Sequence, residues 1–296
     1  MIGVDVGGTK ILAGVIERDG SVGRRHERPT PLETADALMD ALEAAVGELR
    51  DDSITAVGFG LPSRIDQRAG RIDGSVNIPL QGVDFRDPME ERLGLPIALE
   101  NDGNAAALGE FHAGAGREAE TMVMLTLGTG VGGGVVIDRR LLRDGGELGH
   151  VVIEYDGIPC QGTCTGRGHL EGYASGTAAT KLAREAVGPD VDAHGLVRLA
   201  EEADEAAIAI LDGIGRRLGA AIGSFVNIFR PQLVVLGGGF AAAAAGFLVG
   251  PAHETMRREA LPPARDRVSI VRAELGTEAG LIGAGFVAFE AAGEPL

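Results

Sequence analysis

The chain has 296 residues, 47 of them glycine, with 45% hydrophobic and 24% charged residues and a formal net charge of −16. That length supplies one large or two medium domains, two being the better fit. Glycine at more than double the roughly 7% average usage points to a folded protein with many exacting turns. The acidic balance, with Lys10 and Lys181 the only lysines, excludes nucleic acid and anionic membrane as general partners, since both demand clustered basic charge.

Met1-Ile-Gly-Val-Asp5 has neither a basic leader nor a long apolar run, so no signal peptide is read and a cytoplasmic location is expected. Residues 2–17 read as strand, turn and strand. Gly7 and Gly8 let the backbone approach a ligand and aim N–H groups at it, and Thr9 adds a hydroxyl. Asp5 just before the turn is suited to hold Mg²⁺ directly or through water, and Lys10 follows it. An ordinary tight hairpin would look similar, but the pattern recurs. A shift of 121 positions aligns Val4 with Leu125, Gly7 with Gly128, Gly14 with Val135 and Ile16 with Ile137, which implies a duplicated domain with nucleotide held between the copies. Gly128, Thr129 and Gly130 form the second turn. The run Gly128–Gly133 also matches G-x-G-x-x-G, but a strand pattern follows it where a dinucleotide fingerprint must open a helix.

Thr34 to Leu49 reads as an amphipathic helix capped by Thr34, Ile54–Gly60 as a buried strand, and the loop at Asn77 as a candidate border of a substrate cleft. A strand at Leu95–Leu99 leads through Glu100-Asn101-Asp102 into a helix over 105–113. Asp102 there is either a plain helix cap or a carboxylate facing a cleft, and residue type alone does not separate the two. Further on, a long helical pattern over 203–229 ends at Pro231. A strand then runs into Gly237-Gly238-Gly239, where bare backbone can admit a nucleotide base or ribose, and a small-residue helix over 280–289 closes the chain. The uncharged span Leu233–Ala252 has the length of a membrane helix, but its glycine triplet and Pro251 favour strand, turn and helix, so no membrane segment is expected.

Residues 147–171 gather Glu147, His150, Cys160, Cys164, His169 and Glu171, including both cysteines of the chain. Thiolates and imidazoles at tight spacing in a thiol-poor chain point to a structural Zn²⁺. A clamped loop would turn Glu147 and Glu171 toward one pocket.

Taken in order, Asp5-Val-Gly-Gly-Thr9, Glu100-Asn-Asp102, Leu127-Gly-Thr-Gly-Val-Gly-Gly-Gly134, Glu147-Leu-Gly-His150, the Cys/His cluster ending in His169-Leu-Glu171, and Leu236-Gly-Gly-Gly239 resemble the ROK family of sugar kinases and repressors. The resemblance spans essentially the whole chain. It implies an α/β fold of two actin-like (ribonuclease H-like) domains with a cleft between them, expected at 1–104 plus 280–296 and at 105–279, the latter carrying a zinc loop at 150–171. It further implies ATP-dependent phosphorylation of a hexose, glucose first, and a homodimer or homotetramer. Asp102 would be the general base. Asn77, in the loop that is a candidate border of the substrate cleft, joins Asn101, Glu147, His150 and Glu171 as sugar ligands. Asp5 would hold Mg²⁺. Gly7, Gly8, Thr9, Lys10, Gly128, Thr129, Gly130 and Gly237–Gly239 would hold ATP. The family's loop commonly reads C-x-C-G-x-x-G-C; here two more residues separate the cysteines and a histidine stands last, leaving His150, Cys160, Cys164 and His169 as zinc ligands. Fructose, mannose or an N-acetylated amino sugar are the alternative substrates. A repressor is disfavoured because its DNA-binding domain would precede the first hairpin, where Asp5 follows Met1 almost at once.

Overall fold

The computed structural model describes residues 1–75, 77–143 and 145–294, so the end of the expected 280–296 stretch lies outside the described residues. The chain opens with a hairpin of β1 (Ile2–Val6) and β2 (Lys10–Ile16), followed by β3 (Val22–Pro29), α1 (Ala35–Gly47), β4 (Val57–Leu61), β5 (Ser63–Asp66), β6 (Arg71–Ser75) and β7 (Val83–Asp84). Next come α2 (Arg86–Leu93), β8 (Ile97–Asn101) and α3 (Asp102–Ala113). A second hairpin follows, β9 (Met122–Leu127) and β10 (Val131–Ile137), then β11 (Arg140–Leu141), α4 (Glu171–Ala174), α5 (Gly176–Ala186), α6 (Ala193–Glu201) and α7 (Glu205–Phe229). The last elements are β12 (Leu233–Gly237), α8 (Gly239–Glu259), β13 (Ser269–Arg272) and α9 (Ala279–Ala291).

Two compact units result. The first takes Met1–Arg117, Leu141–Gly145 and Glu278–Leu296, the second Glu118–Arg140 and Gly146–Thr277. The expected boundary after residue 104 falls inside α3. That helix packs along α9, so the whole of it belongs to the first unit and the chain crosses at Arg117.

In the first unit the sheet order is β3-β2-β1-β4-β8, with β1 antiparallel to β2 and parallel to β4, and β4 parallel to β8. Every residue of β4 is buried, as a central parallel strand covered on both faces requires. α1 forms where the sequence places it. The Thr34 hydroxyl accepts from Ala37 N at 3.1 Å, a cap contributing about 1 kcal/mol, and Leu38, Met39, Leu42 and Val46 line the buried side. α9 is apolar nearly all round and lies on β1, β4 and α3. Backbone meets backbone there: a methyl at Gly283 would overlap the Ala105 carbonyl of α3, so glycine is required by the approach itself.

The second unit repeats the plan. Its sheet runs β11-β10-β9-β12-β13, with β9 antiparallel to β10 and parallel to β12, and β12 parallel to β13. The repeat inferred from the sequence is present with one correction. Val6 pairs with Ile11 across the turn Gly7–Lys10, whereas Leu127 pairs with Val131 across Gly128–Gly130, one residue shorter. The first strands therefore keep the offset of 121, but Gly14 corresponds to Gly134 and Ile16 to Val136, not to Val135 and Ile137. The uncharged span from Leu233 resolves into β12 and α8, which continues through Pro251 to Glu259 because Leu248–Ala252 packs closely on Gly215 and Gly219 of α7. Among the described residues no helix is long and apolar enough to cross a membrane.

Candidate active site

In the first unit, the turn closing β1 and β2 is pinned by Gly7 N donating to Lys10 O at 2.9 Å. Thr30 fastens it from outside, its hydroxyl donating to Gly7 O at 2.7 Å and its N–H to Thr9 O at 3.1 Å. Gly8 and Thr9 remain exposed, and Asn77 lies beside Gly8, next to this turn. Lys10 is committed elsewhere: its ammonium pairs with Glu27 at 2.8 Å, an exposed contact that contributes little and breaks easily.

Asp5 sits near the end of β1, with Gly280 in the first turn of α9 against its carboxylate. Some of the residue is still accessible, yet the carboxyl group itself is enclosed. Burial pushes its pKa up to about 7, the neighbouring Asp102 carboxylate pushes the same way, and Lys10 pulls it down. A group so poised welcomes a cation, because a bound cation favours the charged form.

The corner between β8 and α3 rules out Asp102 as the helix cap. Asn101 is the cap: its side-chain oxygen accepts from Gly103 N at 2.9 Å and Asn104 N at 3.2 Å, and its amide donates to Ser63 O at 3.3 Å. Asp102 is thereby the first helical residue, exposed, with Oδ1 accepting from Gly103 N at 2.8 Å. A carboxylate there is favoured by the helix end. Capping occupies the Asn101 oxygen, so any sugar contact by that residue falls to its N–H side. Beneath this corner is Glu100, only 2% exposed, which the sequence reading had not marked out for a role.

In the second unit, the turn Gly128–Gly130 closes with Gly128 N donating to Gly130 O at 3.0 Å. It is fastened by the start of α5: Gly176 N donates to Gly128 O at 2.7 Å and the Thr177 hydroxyl to Thr129 O at 2.8 Å. Glu171 completes the clamp, Oε2 accepting from Val131 N at 2.9 Å, while Cys160 Sγ stands 3.9 Å from Oε1. Glu171 thus joins the glycine turn to the cysteine loop. Gly238, at φ +86°, presses on the Leu127 carbonyl where a side chain would overlap it, so the triplet follows the turn closely. α8 opens at exposed Gly239 without a side-chain cap, leaving first-turn N–H groups suited to an anion. Thr177, exposed beside the turn, was missed because its partner lies 48 positions away.

The Cys/His cluster converges. One ligand atom from each of His150, Cys160, Cys164 and His169 lies within 4.8 Å of all the others. His150 Nδ1 and His169 Nδ1 are 3.3 Å apart, Cys164 Sγ is 3.5 Å from His169 Nδ1, and Cys160 Sγ is 3.8 Å from His150 Nδ1. Bonds of about 2.0–2.3 Å to a tetrahedral Zn²⁺ require ligand separations of about 3.3–3.8 Å, a range that these three distances match, and two thiols with two imidazoles are the donor types that ion takes. Both cysteines are free thiols, and burial pushes that of Cys160 up to about 11, so in the absence of a cation it keeps its proton. The bridges Val152 to His169 and Pro159 to Arg167 hold the loop's two sides together. His150 Nε2, the nitrogen left over, faces Glu147 Oε2 at 3.9 Å, both side chains being well exposed. One imidazole therefore has a nitrogen for the metal and another for a ligand.

The ROK family model matches residues 1–291. The glucokinase of Thermotoga maritima is 36% identical, covering 99% of this chain and 98% of its own. The ROK hexokinase of Thermus thermophilus superposes with a TM-score of 0.87 at 38% identity, with 98% of each chain covered. A ROK family glucokinase from Streptomyces griseus, solved with glucose and AMPPNP, gives 0.82 at 32% identity over 98% of this chain and 99% of that one. The α/β architecture is accordingly that of two actin-like domains. On a match that runs from the first glycine turn to α9, the chain belongs to the ROK family.

Proposed function

We propose that this chain is an ATP-dependent hexose kinase that converts glucose to glucose 6-phosphate, with Asp102 as general base. The observation that carries the reading is the full-length likeness to a family member solved with glucose and AMPPNP, two ligands that together represent both substrates of the transfer. The chemistry of this chain's own residues supports it. The exposed Asp102 carboxylate takes the proton of the sugar hydroxyl as that oxygen bonds to the γ-phosphorus and the bond to the β-phosphate oxygen breaks, releasing ADP. Phosphoryl transfer otherwise asks for positioning, which the Gly7–Lys10 and Gly128–Gly130 turns, Thr177 and the Gly237–Gly239 triplet offer to the nucleotide through backbone N–H and hydroxyl groups. Asp5 is the residue for Mg²⁺, which when bound neutralises phosphate charge.

Asn77, Asn101, Glu147, His150 and Glu171 are assigned to the sugar, where amides and carboxylates supply directed hydrogen bonds that discriminate among hydroxyl patterns. His150, Cys160, Cys164 and His169 would hold a structural Zn²⁺ that braces the loop carrying Glu171. Use of ATP together with free thiols favours the cytoplasm.

The test is ADP release from ATP and Mg²⁺ across a panel of hexoses. Glucose is expected to give the highest kcat/KM. Preference for an N-acetylated amino sugar would overturn the glucose assignment, and ADP release indifferent to every sugar would overturn the kinase reading.

A further inference from the structure

The corner that presents Asp102 stands on a buried acid that the proposed reaction does not use. Glu100 is the penultimate residue of β8, 2% exposed, and its Oε1 accepts from Asn101 N and from Asn104 Nδ2, each at 3.0 Å. Those two bonds hold the backbone of the cap residue and the side chain of a residue in the first turn of α3, one on each side of Asp102. The other oxygen, Oε2, has no hydrogen-bond partner, and neither has Oδ1 of Asn104, itself 2% exposed. Burial raises the Glu100 pKa, with the Asn104 bond and the Arg143 charge acting against it. A buried carboxylate is tolerated only with a counter-charge.

That counter-charge comes from far along the chain. Leu141–Gly145 is a short stretch of the first unit, and from it Arg143 places Nε 3.6 Å from Glu100 Oε2 and pairs its Nη2 with Glu290 of α9. At 3.6 Å the first contact is a charge contact rather than a hydrogen bond, which agrees with the unpartnered Oε2. Its half-exposed guanidinium keeps some contact with water, while the Glu100 side chain has almost none.

We propose that Arg143 is a positioning residue for the reaction: held between Glu100 and Glu290, it neutralises the buried Glu100 carboxylate, and Glu100 in turn fixes the strand-to-helix corner that aims Asp102. The inference rests on the reading of Asp102 as general base. Arg143 touches no substrate in this account. Without it Glu100 is left buried and unpaired, and the corner must move or take up a proton to relieve it. Misplacing a catalytic group by about 1 Å costs on the order of 100-fold. The Gly7–Lys10 turn, tied instead by Thr30, keeps its geometry.

Steady-state kinetics on the full chain test this. Arg143→Ala is expected to lower kcat with glucose by about tenfold or more while leaving the KM for ATP within about twofold, a split that general loosening of the fold would not produce. Adding Glu100→Gln to Arg143→Ala is expected to restore kcat to within about threefold of the parent protein, because the amide oxygen still accepts both bonds and no longer needs a counter-charge. If Arg143→Ala fails to fold, the double variant decides alone: folded and active, it supports the proposal; unfolded or inactive, it overturns it. A folded Arg143→Ala with unchanged kcat, or one that Glu100→Gln does not rescue, also overturns it. A parent protein that phosphorylates no hexose sinks the kinase reading and this inference together, whereas an active parent indifferent to Arg143 sinks the inference alone.

Discussion

The two glycine turns are the same device in different wiring. Each joins the first two strands of a five-stranded sheet of the same order, in which the first strand is antiparallel to the second and parallel to its other neighbour. The first, Gly7–Lys10, is tied down by Thr30. The second, Gly128–Gly130, is a residue shorter and is tied by Gly176, Thr177 and Glu171, the last of which reaches the cysteine loop. A duplicated hairpin has thus kept its topology while one copy became mechanically joined to the proposed sugar and metal loop. A disturbance at the second turn should reach both substrates through Glu171, and one at the first should fall mainly on the nucleotide, reaching the sugar only through Asn77 beside Gly8.

The largest expected contrast is at Glu171. Glu171→Ala leaves Val131 N without its acceptor and frees the turn from the loop, a loss of about 1–3 kcal/mol that corresponds to roughly 5- to 150-fold, and the KM values for glucose and ATP should both rise. A change confined to one substrate would break the comparison. Removing metal with a strong chelator comes next: it should lower Tm by several degrees and weaken glucose binding while nucleotide binding to the first turn persists. Metal analysis finding no zinc, with glucose affinity indifferent to chelator, would end the metal reading. In the first unit, Thr30→Val should raise the KM for ATP about fivefold for one neutral hydrogen bond, with a smaller change for glucose because that passes through Asn77 alone.

A separate effect, on stability instead of kinetics, concerns Asp5. Its folded pKa is raised to about 7 from an ordinary 3.8, so the folded state holds a proton that the unfolded chain releases. The stability this contributes is complete below about pH 4 and is lost as pH rises to about 7. Asp5→Asn, measured without nucleotide, should therefore gain Tm relative to the parent between pH 4 and 7 and hold that gain above it. A pH-independent difference would mean that the Asp5 carboxyl is not perturbed.

Local signals were legible in the sequence and long-range ones were not. The Thr34 cap, the strand-turn-strand at Gly7 and the Cys/His cluster lie within short windows whose residue types state their chemistry. The repeat was legible too, but a constant offset cannot register a residue missing from a turn, which is why Gly14 was set against Val135 instead of Gly134. Asp102 stayed ambiguous because both Asn101 and Asp102 can cap a helix, and only geometry shows that Asn101 does so. The small sheet of β5, β6 and β7 lacks a strong apolar alternation to announce it. Thr30, Thr177 and Arg143 act on partners 23, 48 and 43 positions away, distances at which no sequence pattern survives.

The central claim is that Asp102 removes the sugar proton, and a single-turnover measurement on Asp102→Asn with glucose and Mg·ATP tests it most directly. General-base loss predicts a phosphoryl-transfer rate lower by about 10²–10⁴-fold, with glucose affinity close to that of the parent protein. A variant that transfers phosphate at nearly the parental rate would contradict the account.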